Sequence, residues 1–343
     1  MKTKILVTGG LGYIGSHTVL ELLCAGYEPV IADNLSNSRI GILDQIEMIS
    51  GVRPAFHYID LCNEGQLARL IADNEDIAGV IHFAAHKAVG ESVAEPLKYY
   101  RNNFDSLLNI LKVFEGRRLN LVFSSSCTVY GQPDELPVSE AAPVKKAESP
   151  YGNTKQVAEE MLQDIAAADS LKRIISLRYF NPVGAHASAL IGELPSGVPQ
   201  NLVPYVTQSA AGKRGPITVF GDDYDTPDGS CIRDYIHVVD LAAAHIAALK
   251  LLEKQEGTSN YDVFNIGTGT GYTVLELIRA FEENTGVKLN YHIGPRRAGD
   301  IVKVWGDVRK STQQLGWQAK HGIAEMMRSA WAWEQYLQTN DIK

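Results

Sequence analysis

Tyr151 and Lys155 stand four residues apart in the segment SPYGNTK (149–155). Ser149 suits a helix N-cap and Pro150 the first helical position, so the segment opens a helix. At i and i+4 the phenol and the ammonium share one face of it. A free phenol has a pKa of ~10 and is a poor base at neutral pH. A neighbouring ammonium favours the phenolate, and the pair can then take up and return a proton. A tyrosine over a lysine on any surface helix has the same spacing, so the pair carries this meaning only in company. Ser124, Ser125 and Ser126 follow an apolar run at 119–123. One of these hydroxyls can bond a substrate oxygen, or the run can simply cap a turn.

The company is at the N-terminus. An apolar run at 5–8 enters GGLGYIG, with Gly9, Gly12 and Gly15 at GxxGxxG spacing and Tyr13 and Ile14 between them, and a helical pattern follows. Glycine permits the tight turn and leaves room for a pyrophosphate. The helix start offers that anion free N–H groups and a positive dipole end. Asp33 closes the next strand, 18 residues after Gly15 (33 − 15), where a carboxylate can hold ribose hydroxyls. It would repel a 2′-phosphate, so the turn is read as a site for NAD over NADP. An oxidised nicotinamide would add a second positive charge beside the phenol. Asp60 ends the third strand, where it can meet the adenine edge or cap a turn.

The elements that must position these groups alternate. Short apolar runs at 5–8, 29–32, 55–59, 79–85, 119–123 and 174–177 are separated by helical patterns such as 16–25 and 65–72. Such alternation predicts βαβ units and an α/β fold. The sheet is read as a Rossmann-type, doubly wound parallel sheet buried on both faces. After Asn181-Pro182 the chain becomes rich in Gly and Pro, with one helix near 203–211. The helical 239–252 and strand-like 261–266 return to the main sheet. The expected division is a Rossmann domain of 1–181 joined by about 236–268, and a smaller, loop-rich α/β substrate domain of 182–235 and 269–343. A last amphipathic helix covers 325–336, with Trp331 and Trp333 as packing anchors.

The chain has 343 residues, 45% of them hydrophobic, enough for a sizeable core. Its formal charge of −8 argues against broad nucleic-acid binding, which needs a basic face. No apolar stretch reaches the ~18 residues of a membrane span. MKTKILVTGG reads as a first strand and not as a targeting segment. Cys24, Cys62, Cys127 and Cys231 form no CxxC pair, which fits reduced thiols in a cytoplasmic enzyme. The nine histidines form no metal-ligand set; His82 and His86 straddle a strand end.

The segments TGGLGYIGSHT (8–18), ADNLSNS (32–38), HFAAHKAVGESV (82–93), FSSSCTVYG (123–131), SPYGNTK (149–155), RYFNPVGAH (178–186), FGDDYDTPDGSCIRDYIHV (220–238) and GPRRAGD (294–300) resemble, over nearly the whole chain, the extended short-chain dehydrogenase/reductase family and within it the UDP-hexose 4-epimerases. The resemblance implies that Tyr151 is the base, that Lys155 orients the nicotinamide ribose, and that Ser126 is the hydroxyl partner. It places Asp33, Asn34, Asn37 and Ser38 around the adenosine ribose, and Asp60 and Leu61 beside the adenine. Phe83, Ala84, Lys87, Asn102 and Ser124 would line the cofactor, with Tyr179 and Phe180 near the nicotinamide. Asn181, Asn201, Leu202, Phe220, Arg233, Arg297 and Asp300 match positions that hold the UDP-sugar, as would Lys87, Ser126 and Tyr151. Two arginines suit a bidentate grip on a diphosphate.

The implied reaction is NAD-dependent interconversion of UDP-glucose and UDP-galactose through a 4-keto sugar that turns over between two hydride transfers. The run Ser124-Ser125-Ser126-Cys127-Thr128 carries no carboxylate, which disfavours the elimination chemistry of related dehydratases. Val304 matches a position that sets room for the sugar 2-substituent, and its small size implies acceptance of UDP-GlcNAc and UDP-GalNAc; neighbours filling that room is the other reading. His86 and Ala85 depart from the commoner residues there. The family is often a homodimer, and apolar stripes at 107–114 and 157–165 fit an interface or simply a core. Two rival readings are a dehydrogenase or reductase that releases NADH, and a non-catalytic NAD-sensing protein.

Overall fold

The computed structural model describes residues 2–254, 259–297 and 300–342. The first half alternates strand and helix: β1 (Lys4–Thr8), α1 (Tyr13–Cys24), β2 (Glu28–Asp33), α2 (Gly41–Ser50), β3 (Ala55–Tyr58), α3 (Glu64–Asp73), β4 (Ile77–His82), α4 (Val89–Ala94), α5 (Pro96–Val113), β5 (Leu119–Ser124), α6 (Pro150–Ala168) and β6 (Lys172–Tyr179). There follow β7 (Asn181–Val183), α7 (Leu202–Ala210), β8 (Ile217–Phe220), β9 (Ile232–His237), α8 (Val238–Glu253), β10 (Tyr261–Ile266), β11 (Gly271–Thr273), α9 (Val274–Thr285), β12 (Tyr291–Gly294), β13 (Lys303–Val304) and α10 (Ile323–Thr339).

Seven strands form one parallel sheet in the order β10-β6-β5-β4-β1-β2-β3. From β1 the chain winds one way through β2 and β3 and the other way through β4, β5 and β6. The crevice past the carboxyl ends of β1 and β4 is therefore the switch point at which Rossmann-type sheets bind ligands. The strand alternation of two decides the packing. Ile5 and Val7 face a core built with α1, α2 and α8, whereas Leu6 faces a second core with α3, α5 and α6. Burial of both faces is why these strands read as near-continuous apolar runs.

The second region has a small sheet, β11-β9-β13 with β7 also on β9, and a parallel pair β8–β12. Its core joins Val203 and Val206 of α7, Leu277 and Phe281 of α9, and Met326 and Met327 of α10. Trp333 is buried and Trp331 packs edge-on against Phe281. Among the described residues no helix is long and apolar enough to cross a membrane.

One expectation changes in detail, and one left open is settled for three residues. The 79–85 run ends as a strand at His82; the Phe83 amide makes a last ladder bond to the Thr8 carbonyl, and beyond it the chain leaves the sheet. The 107–114 stripe turns inward, with Leu107, Ile110 and Leu111 in the core. The outward apolar side of α5 is instead Leu97, Tyr100, Phe104 and Leu108.

Candidate active site

The glycine turn is shaped as the sequence argument requires. Gly9 has φ +68°, the left-handed region, and a Cβ there would lie 3.0 Å from the Ala84 amide nitrogen. A Cβ on Gly15 would overlap the Gly9 carbonyl oxygen. The first amides of α1 have no carbonyl four residues back and point outward from the helix. Asp33 closes the cradle. One oxygen accepts from the Leu11 amide at 3.1 Å, and the other from the Leu35 amide at 2.9 Å and the Ser38 hydroxyl at 2.8 Å. A backbone cradle kept clear of side chains, with a carboxylate at the end of β2, fits a dinucleotide.

The residues expected beside the adenosine fall into three groups. Asn34 and Asn37 stay on the loop after β2, where Asn34 accepts from the Ser36 amide at 3.1 Å. Asp60 caps a turn through the Cys62 amide at 2.9 Å. Leu61 is buried in the core, its carbonyl bonded by Asn109. Asn102 reaches Asn103, and it is Asn103, missed in the sequence, that binds His86 and Thr154 and so ties the β4 loop to α5 and α6. This network holds His86 by its backbone.

At the carboxyl end of β5 the three serines divide their work. Ser149 caps α6 by accepting from the Gly152 amide at 3.1 Å, as its place in the sequence predicts. This presents Tyr151 and Lys155, both buried, to the serines. Lys155 Nζ donates to the Ser124 carbonyl at 2.7 Å and lies 6.0 Å from the Tyr151 ring centre and 4.7 Å from that of Phe123. The Ser124 hydroxyl pairs with the Tyr179 hydroxyl at 2.9 Å. Ser126 accepts from the Thr128 amide at 3.2 Å, so it caps the single turn Cys127–Tyr130 while its hydroxyl also acts on Tyr151.

Burial, followed by the neighbouring Tyr179 phenol, holds Tyr151 well above its ordinary value, and only the Ser126 hydroxyl opposes this. Burial also pushes the Lys155 ammonium down to about 8, with Glu159 opposing. Tyr179 is raised to about 12, by burial first. His82, bonded to Thr8 at 2.7 Å, is held down to about 3 by burial and then by Lys155.

On the far side of the cleft, Arg233 on β9 and Arg297 share one carboxylate. Arg297 Nη2 is 2.8 Å and Arg233 Nη2 3.9 Å from Asp300 Oδ1. The Arg297 guanidinium lies 5.5 Å from the exposed Phe220 ring. Val304 pairs with Arg233 in register and is buried with Phe180, Tyr130 and Val138. Asn181 begins β7, and Asn201 and Leu202 begin α7. Glu193, also missed, joins the two sides: its Oε1 accepts from Asn201 at 2.7 Å and lies 3.6 Å from Lys87 Nζ. The segment around it is pinned across the cleft by Tyr13 to the Gly184 carbonyl at 2.7 Å and by Ser196 to Asn37 at 2.9 Å. No local motif marks Glu193, because its partners lie far away in sequence.

The chain is similar to known proteins over nearly its whole length. A family model described as GDP-mannose 4,6 dehydratase matches residues 6–330. The UDP-glucose 4-epimerase of Dictyostelium discoideum is 50% identical over 333 residues, covering 96% of this chain and 95% of that one. The chain belongs to the UDP-glucose 4-epimerase family. Two solved epimerase structures are similar throughout. That from Stenotrophomonas maltophila, with bound NAD and formylated UDP-arabinopyranose, has a TM-score of 0.93 at 47% identity, covering 98% and 99% of the two chains. That from Bifidobacterium longum, in complex with NAD+ and UDP, has a TM-score of 0.92 at 46% identity, covering 97% and 98%. Epimerase and dehydratase share the broad family, and the serine run 124–126 leads into Cys127-Thr128 with no acid.

The Lys155 shift sets a pH dependence. Its ordinary pKa is 10.5 and its folded value about 8, so between these the unfolded chain holds more proton and stability rises with pH. Denaturant unfolding of the wild type and Lys155→Met should show the wild type gaining on the variant from pH 8 toward 10.5. A difference flat across that range would refute the shift.

Proposed function

We infer that this chain interconverts UDP-glucose and UDP-galactose by NAD-dependent epimerisation at C4. The observation that carries this reading is the buried pair Tyr151–Lys155, facing the serines of β5 beside the glycine turn. We assign the dinucleotide to 1–181 with 236–268, and the UDP-sugar to 182–235 with 269–343.

When bound, NAD supplies the acceptor and donor of the C4 hydride and a positive ring near the phenol. Gly9, Gly12, Gly15 and the amides of Tyr13 and Ile14 would hold its pyrophosphate, and Asp33 its adenosine ribose. Tyr151 Oη takes the proton of the 4-hydroxyl and returns it to the 4-oxygen from the other side. Ser126 orients that oxygen. Lys155 stays as ammonium on the Ser124 carbonyl and favours the phenolate once the ring charge is present. Arg233 and Arg297, aligned by Asp300, grip the diphosphate, and Phe220 covers the uracil. A fixed diphosphate with a freely turning hexose allows both faces of C4 to meet one base. The absence of a carboxylate after Ser126 supports this over elimination.

We further propose a homodimer. Leu97 and Leu108 are 77% and 45% exposed on the outward face of α5, beside Tyr100 and Phe104. Val157 and Met161 continue that face on α6, and Asn153 Nδ2 donates to the Tyr100 hydroxyl at 2.9 Å. Four separate thiols support a cytoplasmic setting.

Four measurements test these readings. Pure protein with NAD should equilibrate UDP-glucose and UDP-galactose without net NADH. Tyr151→Phe should abolish turnover, a loss of about 10²-fold or more, and still bind NAD. No interconversion by the wild type would overturn the assignment, and net NADH would favour the dehydrogenase. UDP-GlcNAc and UDP-GalNAc should also be turned over, with Val304→Tyr suppressing that activity far more than the other; a wild type inert toward both would show that Phe180 and its neighbours fill the space. Light scattering should give twice 37.6 kDa, reverting to one copy in Leu97→Glu/Leu108→Glu; a single-copy wild type would refute the dimer.

A further inference from the structure

Glu159 takes no part in the proton transfer, yet it lies on the same helix stripe as the residues that do. It follows Lys155 by four residues and Tyr151 by eight on α6. Its buried carboxylate accepts three hydrogen bonds from Arg178 of β6: Nε at 3.1 Å to each oxygen, and Nη2 at 2.6 Å to Oε2. Arg178 is itself braced, its guanidinium 4.8 Å from the Tyr130 ring centre. The remaining partner of Glu159 is Ser125, whose hydroxyl donates to Oε1. Ser125 is the middle of the serine run. On one side of it the Ser124 carbonyl holds Lys155 Nζ, and on the other the Ser126 hydroxyl acts on Tyr151.

A buried ion pair is a weak source of stability, because both charges lose their water. The feature to explain is that this one also reaches the single residue linking the two supports of the catalytic pair. We propose that Glu159 is a positioning residue: braced by Arg178, it grips Ser125 and so fixes the Ser124 carbonyl against Lys155 and the Ser126 hydroxyl beside Tyr151. This rests on the Tyr151–Lys155 reading above. The charges around the ammonium agree with it. His82 of β4 is neutral, β5 offers only the Phe123 ring, β6 offers Tyr179 and the already paired Arg178, and α6 offers Tyr151 and Glu159. Beside the Ser124 carbonyl that binds it, Lys155 has its charged form favoured against burial by the Glu159 carboxylate.

Ser125→Ala removes the grip and leaves the ion pair in place. It should lower kcat for UDP-hexose interconversion about tenfold or more, since a displacement near 1 Å can cost up to ~10²-fold. KM should stay within about twofold. The 13Cε resonance of Lys155, assigned by its loss in Lys155→Arg, should titrate at lower pH than in the wild type. Ser125→Thr keeps a hydroxyl and should restore both. Should Glu159→Gln fold, it should behave as Ser125→Ala does, with a larger shift of the Lys155 titration. Ser125→Ala with unchanged kcat and an unmoved Lys155 titration would overturn the proposal, as would a kcat loss no larger than the loss of folded protein. An inactive wild type would instead defeat the epimerase reading, and the Lys155 titration would still decide whether Ser125 and Glu159 position that ammonium.

Discussion

An ammonium shut away from water has to be held by something, and Lys155 is held by one carbonyl oxygen and two aromatic rings. Among the described residues no carboxylate lies within 4 Å of it. The arrangement keeps a cation close to Tyr151 without neutralising it, as a direct salt bridge would. It also makes the carbonyl of Ser124 indispensable, because a buried charge with no hydrogen-bond acceptor is costly. The end of β5, the first turns of α6 and the cap at Ser149 all serve to bring that carbonyl, that ammonium and that phenol to one place. The phenol is then far from acidic on its own account, which leaves the last step of activation to whatever positive charge arrives beside it.

Much of this was legible because its causes are local. The glycine spacing, the carboxylate closing β2 and the Ser-Pro start of α6 each act within a turn or two of the residues that reveal them. Doubly buried strands announce themselves as apolar runs, and five of the six early ones lie within about two residues of the strands observed. The run at 79–85 was longer than its strand, since Phe83 is apolar for a reason unrelated to pairing: its ring packs 4.6 Å from that of His245. α9 carries a capping box, with Thr273 and Glu276 bonding each other's backbone, and this signature was there to be read.

The rest was hidden because it depends on distance along the chain. Glu193 meets Lys87, more than a hundred residues earlier, and Glu159 meets Arg178 across a helix-to-strand connection. Neither contact leaves a periodic or spaced trace. The same holds for the acidity of Tyr151: spacing alone places a lysine nearby, but burial, which only the packed structure reveals, outweighs it. Apolar stripes on α5 were ambiguous for a similar reason, since two adjacent faces are both apolar and only packing tells which one meets the core.

The seventh strand of the large sheet has a consequence for biosynthesis. β10 pairs with β6, yet the chain makes β7 to β9, α7 and α8 before reaching it. Until residues 261–266 leave the ribosome, β6 presents an unpaired edge of backbone donors and acceptors, and α8 lacks the buried Phe264 beneath it. An open parallel edge of this kind invites pairing with other nascent chains. The amino-terminal half is thus open to such pairing during translation, and the late strand moves the edge to itself, where Glu140 accepts from the Asn265 amide and Lys310 donates to the Val263 carbonyl.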